Sequence, residues 1–138
     1  MRSGRNRDRQ HIVKQRMQYL AHPSNPPAGH YSTAVVCNGF VFLSGILPAD
    51  PHAGDFKAEV KQVLEACKDI LALADCGIAD VVQCTGYIVG VENWPAFNQV
   101  YATFFGDHKP ARTVVPVTEL HHGCLVEMQM TASLPAGA

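Results

Sequence analysis

Residues 31–45 read YSTAVVCNGFVFLSG. Two β-rich runs, YSTAVVC and FVFLSG, flank Asn38–Gly39, a dipeptide suited to a two-residue type I′ turn because both of its residues tolerate positive φ. The segment predicts an antiparallel hairpin. Before it, AHPSNPPAGH at 21–30 holds three prolines and a glycine and reads as an irregular lead-in. After it, the loop ILPADPHAG runs to Asp55, a residue type that caps helix N-termini.

Working outward, Val60, Val63, Leu64, Cys67, Ile70, Leu71 and Ala74 recur at three- and four-residue intervals from Phe56 onward. That spacing predicts a helix with one buried face, stopped by Gly77. Its other face holds Lys57, Glu59, Lys61, Gln62, Glu65, Lys68 and Asp69. Val81 to Val89 is apolar on both parities, as in a strand covered on both sides. Asn93 is placed to cap a second helix, with Pro95 in its first turn and Trp94, Phe97, Tyr101 and Phe104 as its stripe; Gly106 ends it. Asn98 shares the aromatic side. ARTVVPV at 111–117 predicts a short strand whose Pro116 suits an edge or a bulge, and CLVEMQMTA at 124–132 alternates as a strand should.

The predicted architecture is α+β, in the order β-β-α-β-α-β-β, with both helices as crossovers. Right-handed crossovers put the two helices on one face of a mixed sheet. The other face stays uncovered, and an apolar sheet face of that size generally marks an oligomer interface.

Composition narrows the function classes. At 138 residues the chain accommodates one domain, and 47% apolar against 17% charged residues predicts a folded one. Residues 1–16 hold six of the eleven basic residues and one acid; residues 17–138 hold five basic and eleven acidic ones. The first segment is read as a disordered arm or as the product of a start codon placed too early, with Met17 the other candidate, and the single domain as 17–138. An acidic body lacks the electrostatic footprint of a nucleic-acid binder. No apolar run is long enough for a membrane span, and residues 1–16 lack the apolar centre of a secretory signal. Cys37, Cys67, Cys76, Cys84 and Cys124 contain no CxxC and read as free thiols in a reducing compartment, so a cytoplasmic location is expected. His121–His122, if on a strand, would point to opposite faces and could not readily share a metal, and no metal site is expected. GxSxG, P-loop and GxGxxG motifs are absent, and no nucleotide cofactor is expected.

Few residues are left to carry chemistry. Arg112 is the sole arginine after Met17 and stands at a strand start, where its guanidinium could fork onto a carboxylate or simply form a surface ion pair. On the last strand Leu125, Glu127, Gln129 and Thr131 share one face, and alternation leaves open whether Glu127 is a solvated residue or a half-buried base. Ser44–Gly45 ends the second hairpin strand, where a hydroxyl and an unhindered amide can approach a ligand or merely make a turn.

The segments GHYSTAVVCNGFVFLSGILPADP, NQVYATFFGDHKPARTVVPV and LVEMQMTA resemble the Rid (YjgF) family of reactive-intermediate enamine/imine deaminases in order and spacing, from about His30 to Ala132. The resemblance implies a chorismate-mutase-like fold, a homotrimer with sites in clefts between subunits, and cofactor-independent hydrolysis of enamine or imine intermediates to 2-oxo acids and ammonia. It implies Arg112 as the grip on the substrate carboxylate and Glu127 as the acid that orients or activates water. Tyr31, Ser44, Gly45, Asn98 and Val114 fall on positions lining the family pocket. Val114 replaces the cysteine of many members, Ile46 the glutamine of SGQ members and His30 the proline of Gly-Pro-Tyr members.

Three functions are thereby opened. The first is a 2-iminobutanoate/2-iminopropanoate deaminase-like hydrolase, or within that class an enzyme resembling 2-aminomuconate deaminases. The second is a non-catalytic trimer that binds 2-oxo acids in a regulatory role. The third, ribonuclease or translation inhibitor, is a label of some relatives that the acidic body opposes.

Overall fold

Asn38 and Gly39 adopt φ of 52° and 81°, the pair of positive angles that a type I′ turn demands, and the hairpin forms on them. The computed structural model describes residues 16–136, so the basic arm lies, up to residue 15, outside the described residues. The elements run β1 (Gln18–Leu20), β2 (Ala34–Cys37), β3 (Phe40–Leu43), α1 (Phe56–Ala72), β4 (Val81–Val89), α2 (Trp94–Phe105), β5 (Ala111–Val117) and β6 (Val126–Ser133). They match the predicted order with one strand added. β1 pairs antiparallel with β2 through Tyr19 and Val35, and at three residues it is too short to show a period in the sequence.

The sheet order is β1-β2-β3-β6-β4-β5. Only β4 and β5 are parallel, joined by α2, while α1 carries the chain from β3 across β6 to β4. Pro116 sits on the edge strand β5, where its missing N–H breaks no outer ladder. Both helices cover the face formed by Val126, Met128, Met130 and Ala132 of β6, which are all buried with the α1 stripe. The opposite face has no helix over it among the described residues. It is less uniformly apolar than expected: Tyr19, Phe40 and Phe42 stand exposed at the β1–β3 end, while Thr85, Gln129 and Thr131 occupy the middle.

Four local expectations are corrected by the side chains. α1 is ended by Asp75, not Gly77: Asp75 holds the left-handed φ of 56°, and the Asp75 and Cys76 amides reach back to the Ala72 and Leu71 carbonyls. Asn93 precedes α2 without capping it, because its amide donates to the Val89 carbonyl at 2.9 Å and fastens the end of β4 instead. In α2 the core residues are Phe97, Tyr101 and Phe105, with Trp94 largely outside and Phe104 half-buried against α1. His121 and His122 lie in a tight turn rather than on a strand, with ring centroids 3.7 Å apart.

Glu59 departs furthest from its assignment to the solvent face of α1. It is only 1% exposed, and its Oε1 accepts the Leu125 backbone N–H at 3.1 Å. A carboxylate in the first turn of a helix is favoured by the helix dipole, and here it also satisfies the chain just before β6. Asp55 caps the same helix through Oδ1, 3.0 Å from the Ala58 amide. Replacing Glu59 with Ala orphans the Leu125 N–H and is expected to destabilise by about 1–3 kcal/mol. Glu59→Gln, which keeps an acceptor, is expected to retain most of that. Urea unfolding at one fixed chain concentration checks this, and equal losses in the two variants would refute the anchoring role.

Candidate active site

Arg112 is the second residue of β5 and pairs with Cys84 of β4, which fixes its side chain on the helix-covered face at the sheet's edge. There its Nη1 donates to Asn98 Oδ1 at 2.9 Å. The guanidinium carbon stands 4.9 Å from the Tyr101 ring centroid and 5.9 Å from that of Phe97. An amide and two aromatic faces therefore hold the group, and no acid among the described residues takes part in that hold. Exposed at the rim, it keeps further N–H donors for a ligand. Val114, two residues along and opposite Gly86, lies buried on the same face, so an apolar side chain borders the arginine where a thiol was conceivable.

Beneath Arg112 lies a buried polar pair. Among the described residues the Tyr101 hydroxyl has no hydrogen-bond partner of good geometry and has the Cys84 thiol as its polar neighbour. Burial pushes Cys84 up from its ordinary 9.0 to about 11, against smaller lowering effects of Tyr101 and Arg112. Burial also pushes the Tyr101 phenol up, and Cys84 adds to the shift.

Glu127 occupies the other face. It pairs with Tyr87 of β4, three residues from Cys84, and an odd separation along a strand places partners on opposite sides of a sheet. Its half-buried carboxylate packs on Gly45, where any Cβ would overlap Glu127 Oε1. A side chain at position 45 would push the Glu127 carboxylate out of this place. The contact arises from a β-bulge: between the pairs Phe42–Thr131 and Ile46–Met128, three residues on one side face two on the other. Two backbone hydrogen bonds, Ile46 N to Met128 O at 2.7 Å and the reverse at 2.9 Å, lock Ile46 beside β6. Ser44 donates its hydroxyl to the Ser32 carbonyl at 2.6 Å, leaving its oxygen able only to accept. Tyr31 is 56% exposed, with its ring against Gly29.

The predicted residues thus form two groups. Arg112, Asn98 and Val114 make one; Glu127, Gly45 and Ser44 make the other, with the exposed Tyr31 on the segment leading to Ser44. Within one chain the sheet separates them. Tyr101, which carries the guanidinium, was assigned from sequence only to the packing stripe; its i+3 position from Asn98 was the signal that both would face Arg112. Among the described residues no group of three or more histidine, cysteine, aspartate or glutamate side chains is placed to hold a metal, and no helix is long and apolar enough to cross a membrane.

The family described as Endoribonuclease L-PSP matches residues 22–134. A RutC family protein of Pyrococcus abyssi is 38% identical over 111 residues, covering 77% of this chain and 87% of that one. The 3-aminoacrylate deaminase RutC of Acinetobacter baylyi is 36% identical over 112 residues, 78% of this chain and 89% of its own. Among solved structures, YyfA of Yersinia pestis, described as belonging to the conserved Rid protein family, superimposes with a TM-score of 0.80 at 28% identity over 86% of this chain and 99% of that one. The architecture described above is accordingly the chorismate-mutase-like α+β fold that the resemblance implied.

The Cys84–Tyr101 pair has a consequence for alkaline stability. Both groups hold their protons in the folded chain at a pH where the unfolded chain releases them. Cys84 therefore contributes stability that is fully present below about pH 9 and is lost as pH rises through about 11, and Tyr101 contributes stability whose loss begins only above about pH 10. Urea midpoints measured from pH 7 to 11 are expected to fall above pH 9, and to fall less steeply in Cys84→Ala, which has one such group fewer. Identical slopes in both proteins would contradict this account.

Proposed function

Because the chain belongs to the Rid (YjgF) family, also described as Endoribonuclease L-PSP, we propose that it hydrolyses small carboxylate-bearing enamines and imines to 2-oxo acids and ammonia, without a cofactor. The observation that carries this reading is Arg112: a guanidinium oriented by Asn98 and Tyr101, exposed on its remaining side, at the edge of a strand. A planar fork fixed in this way suits a carboxylate better than a mobile ammonium would.

The two groups of residues lie on opposite faces of one sheet, so the proposed site is completed between copies, in a homotrimer. Arg112, Asn98 and Val114 of one subunit face Glu127, Gly45, Ser44 and Tyr31 of the next. The uncovered sheet face and the exposed Phe40 and Phe42 support such an assembly.

The chemistry follows from those parts. Arg112 binds the carboxylate and thereby fixes the adjacent imine carbon. Glu127 accepts a proton from water as the oxygen attacks the carbon of the protonated imine, whose nitrogen takes up the C=N electron pair, giving a neutral carbinolamine. Glu127 returns that proton to nitrogen, the carbon–nitrogen bond breaks with its electron pair leaving on ammonia, and the carbinolamine hydroxyl gives up its proton to Glu127 as it becomes the carbonyl of the 2-oxo acid. An enamine enters the same sequence once its β-carbon is protonated. Such imines already hydrolyse in water, so positioning and one acid–base group suffice. The A. baylyi relative is named for 3-aminoacrylate, an enamine acid, which supports the substrate class. 2-Iminobutanoate and 2-iminopropanoate are the proposed substrates, with 2-aminomuconate as the alternative in the same class. The excess of acid from Met17 onward weighs against a nucleolytic role. Five free thiols fit the reducing cytoplasm proposed as its location.

Imino acids generated in situ are expected to disappear faster with the wild type than in its absence, and Arg112→Ala is expected to remove the acceleration. Ligand stabilisation by 2-oxobutyrate without ammonia release would instead identify a binding protein. Mixing unfolded Arg112→Ala and Glu127→Gln chains in equal amounts and refolding them tests the shared site. Clefts that combine intact Arg112 from one chain with intact Glu127 from its neighbour should restore about a quarter of wild-type activity. No recovery in trimers shown to be mixed would place both residues' action within one chain.

A further inference from the structure

On the side of the molecule away from the open sheet face, α1 and α2 enclose a groove of about 710 Å³. Its floor is apolar, built from Leu64, Ile78, Val100 and Phe104. The two walls differ in charge. α1 supplies Lys57, Lys61 and Lys68 against the single acid Glu65, whereas α2 has no Asp, Glu, Lys or Arg in its twelve residues and contributes Gln99 and Thr103. Three of the five basic residues that follow Met17 thus line one groove of an otherwise acidic body.

That arrangement is unfavourable for the helix alone. Lys57 and Lys61 are an i,i+4 like-charged pair, and Glu65 follows Lys61 in the less favourable order for an ion pair. Lys57 is turned across the groove, where its Nζ donates to Gln99 Oε1 and ties the two walls together at one end. Lys61 and Lys68 remain along the rim.

We infer that this groove binds a small amphiphilic monoanion, a carboxylate on an extended apolar body, with Lys61 and Lys68 at the carboxylate and the body laid between Leu64, Ile78, Val100 and Phe104. The volume falls within the roughly 300–1,000 Å³ of small-molecule sites. An apolar body gains from covering the half-buried Ile78, Val100 and Phe104, Leu64 being already fully buried, and meets no charge on the α2 wall. The anion supplies a counter-charge to Lys61 and Lys68, which have only Glu65 as an acid within the groove. The site is separate from Arg112, which lies on the β5 side of α2 and lines no part of the groove.

Titration of the ¹⁵N-labelled full chain with decanoate tests the inference, with 1-decanol as the neutral control. Saturable shifts are expected at the amides of α1 and α2 that border the groove. Lys61→Glu/Lys68→Glu should weaken decanoate by about tenfold, as expected for two partly exposed ion pairs. Lys61→Gln/Lys68→Gln is the milder variant should charge reversal disturb assembly, and Arg112→Ala should bind as the wild type does. Binding of 1-decanol as tight as decanoate, or undiminished binding in both lysine variants, overturns the inference. So does loss of binding in Arg112→Ala, which would put the ligand at the proposed active site, or shifts confined to Phe40 and Phe42, which would put it on the open sheet face.

Discussion

β6 hydrogen-bonds to β3 on one side and to β4 on the other, and the placement of both groups of candidate site residues depends on that double ladder. Its strict alternation turns Val126, Met128, Met130 and Ala132 inward under the helices and leaves Glu127, Gln129 and Thr131 outward. A slip of one residue would exchange the two sets, placing a carboxylate in the core and two methionines in solvent. Several contacts hold the register. Glu59 takes the amide just before the strand, Ile46 exchanges two hydrogen bonds with Met128, and Gly45 leaves room for the Glu127 carboxylate.

The helix layer follows from the same constraint. α1 crosses β6 to reach β4 and must fill the space above four buried β6 side chains, which its stripe from Phe56 to Leu71 does. α2 then lies against α1 and presents Phe97 and Tyr101 toward the edge strand. Packing and site construction meet there, since the aromatic pair that closes the core also carries the Arg112 guanidinium. Gly86 is fixed by the same contact, because a Cβ at that position would press into the Phe97 ring.

Much of this was legible in the sequence because it rests on period and turn chemistry. Asn38–Gly39, the α1 stripe, the alternation of β6 and Gly106 after α2 each carry a local signal that tertiary structure did not overrule. What was missed depends on partners distant in the chain. The polar face of α1 gave no reason to bury Glu59, whose partner is 66 residues away. β1 is ordered by pairing with β2 and has no period of its own. Asp75 took the left-handed position ahead of Gly77, a role that aspartate fills with little strain because its short polar side chain tolerates αL. Arg112 and Glu127 were legible as candidates through their family positions, but their assignment to opposite faces needed the register of β4 against both neighbours.

The division of residues across the sheet also sets how the proposed activity responds to dilution. If each cleft draws its arginine and its glutamate from different chains, a lone chain is inert, and at concentrations well below the assembly constant the number of working clefts grows as the third power of chain concentration. Specific activity would then vanish on dilution. A cell would gain the activity abruptly as the protein accumulates.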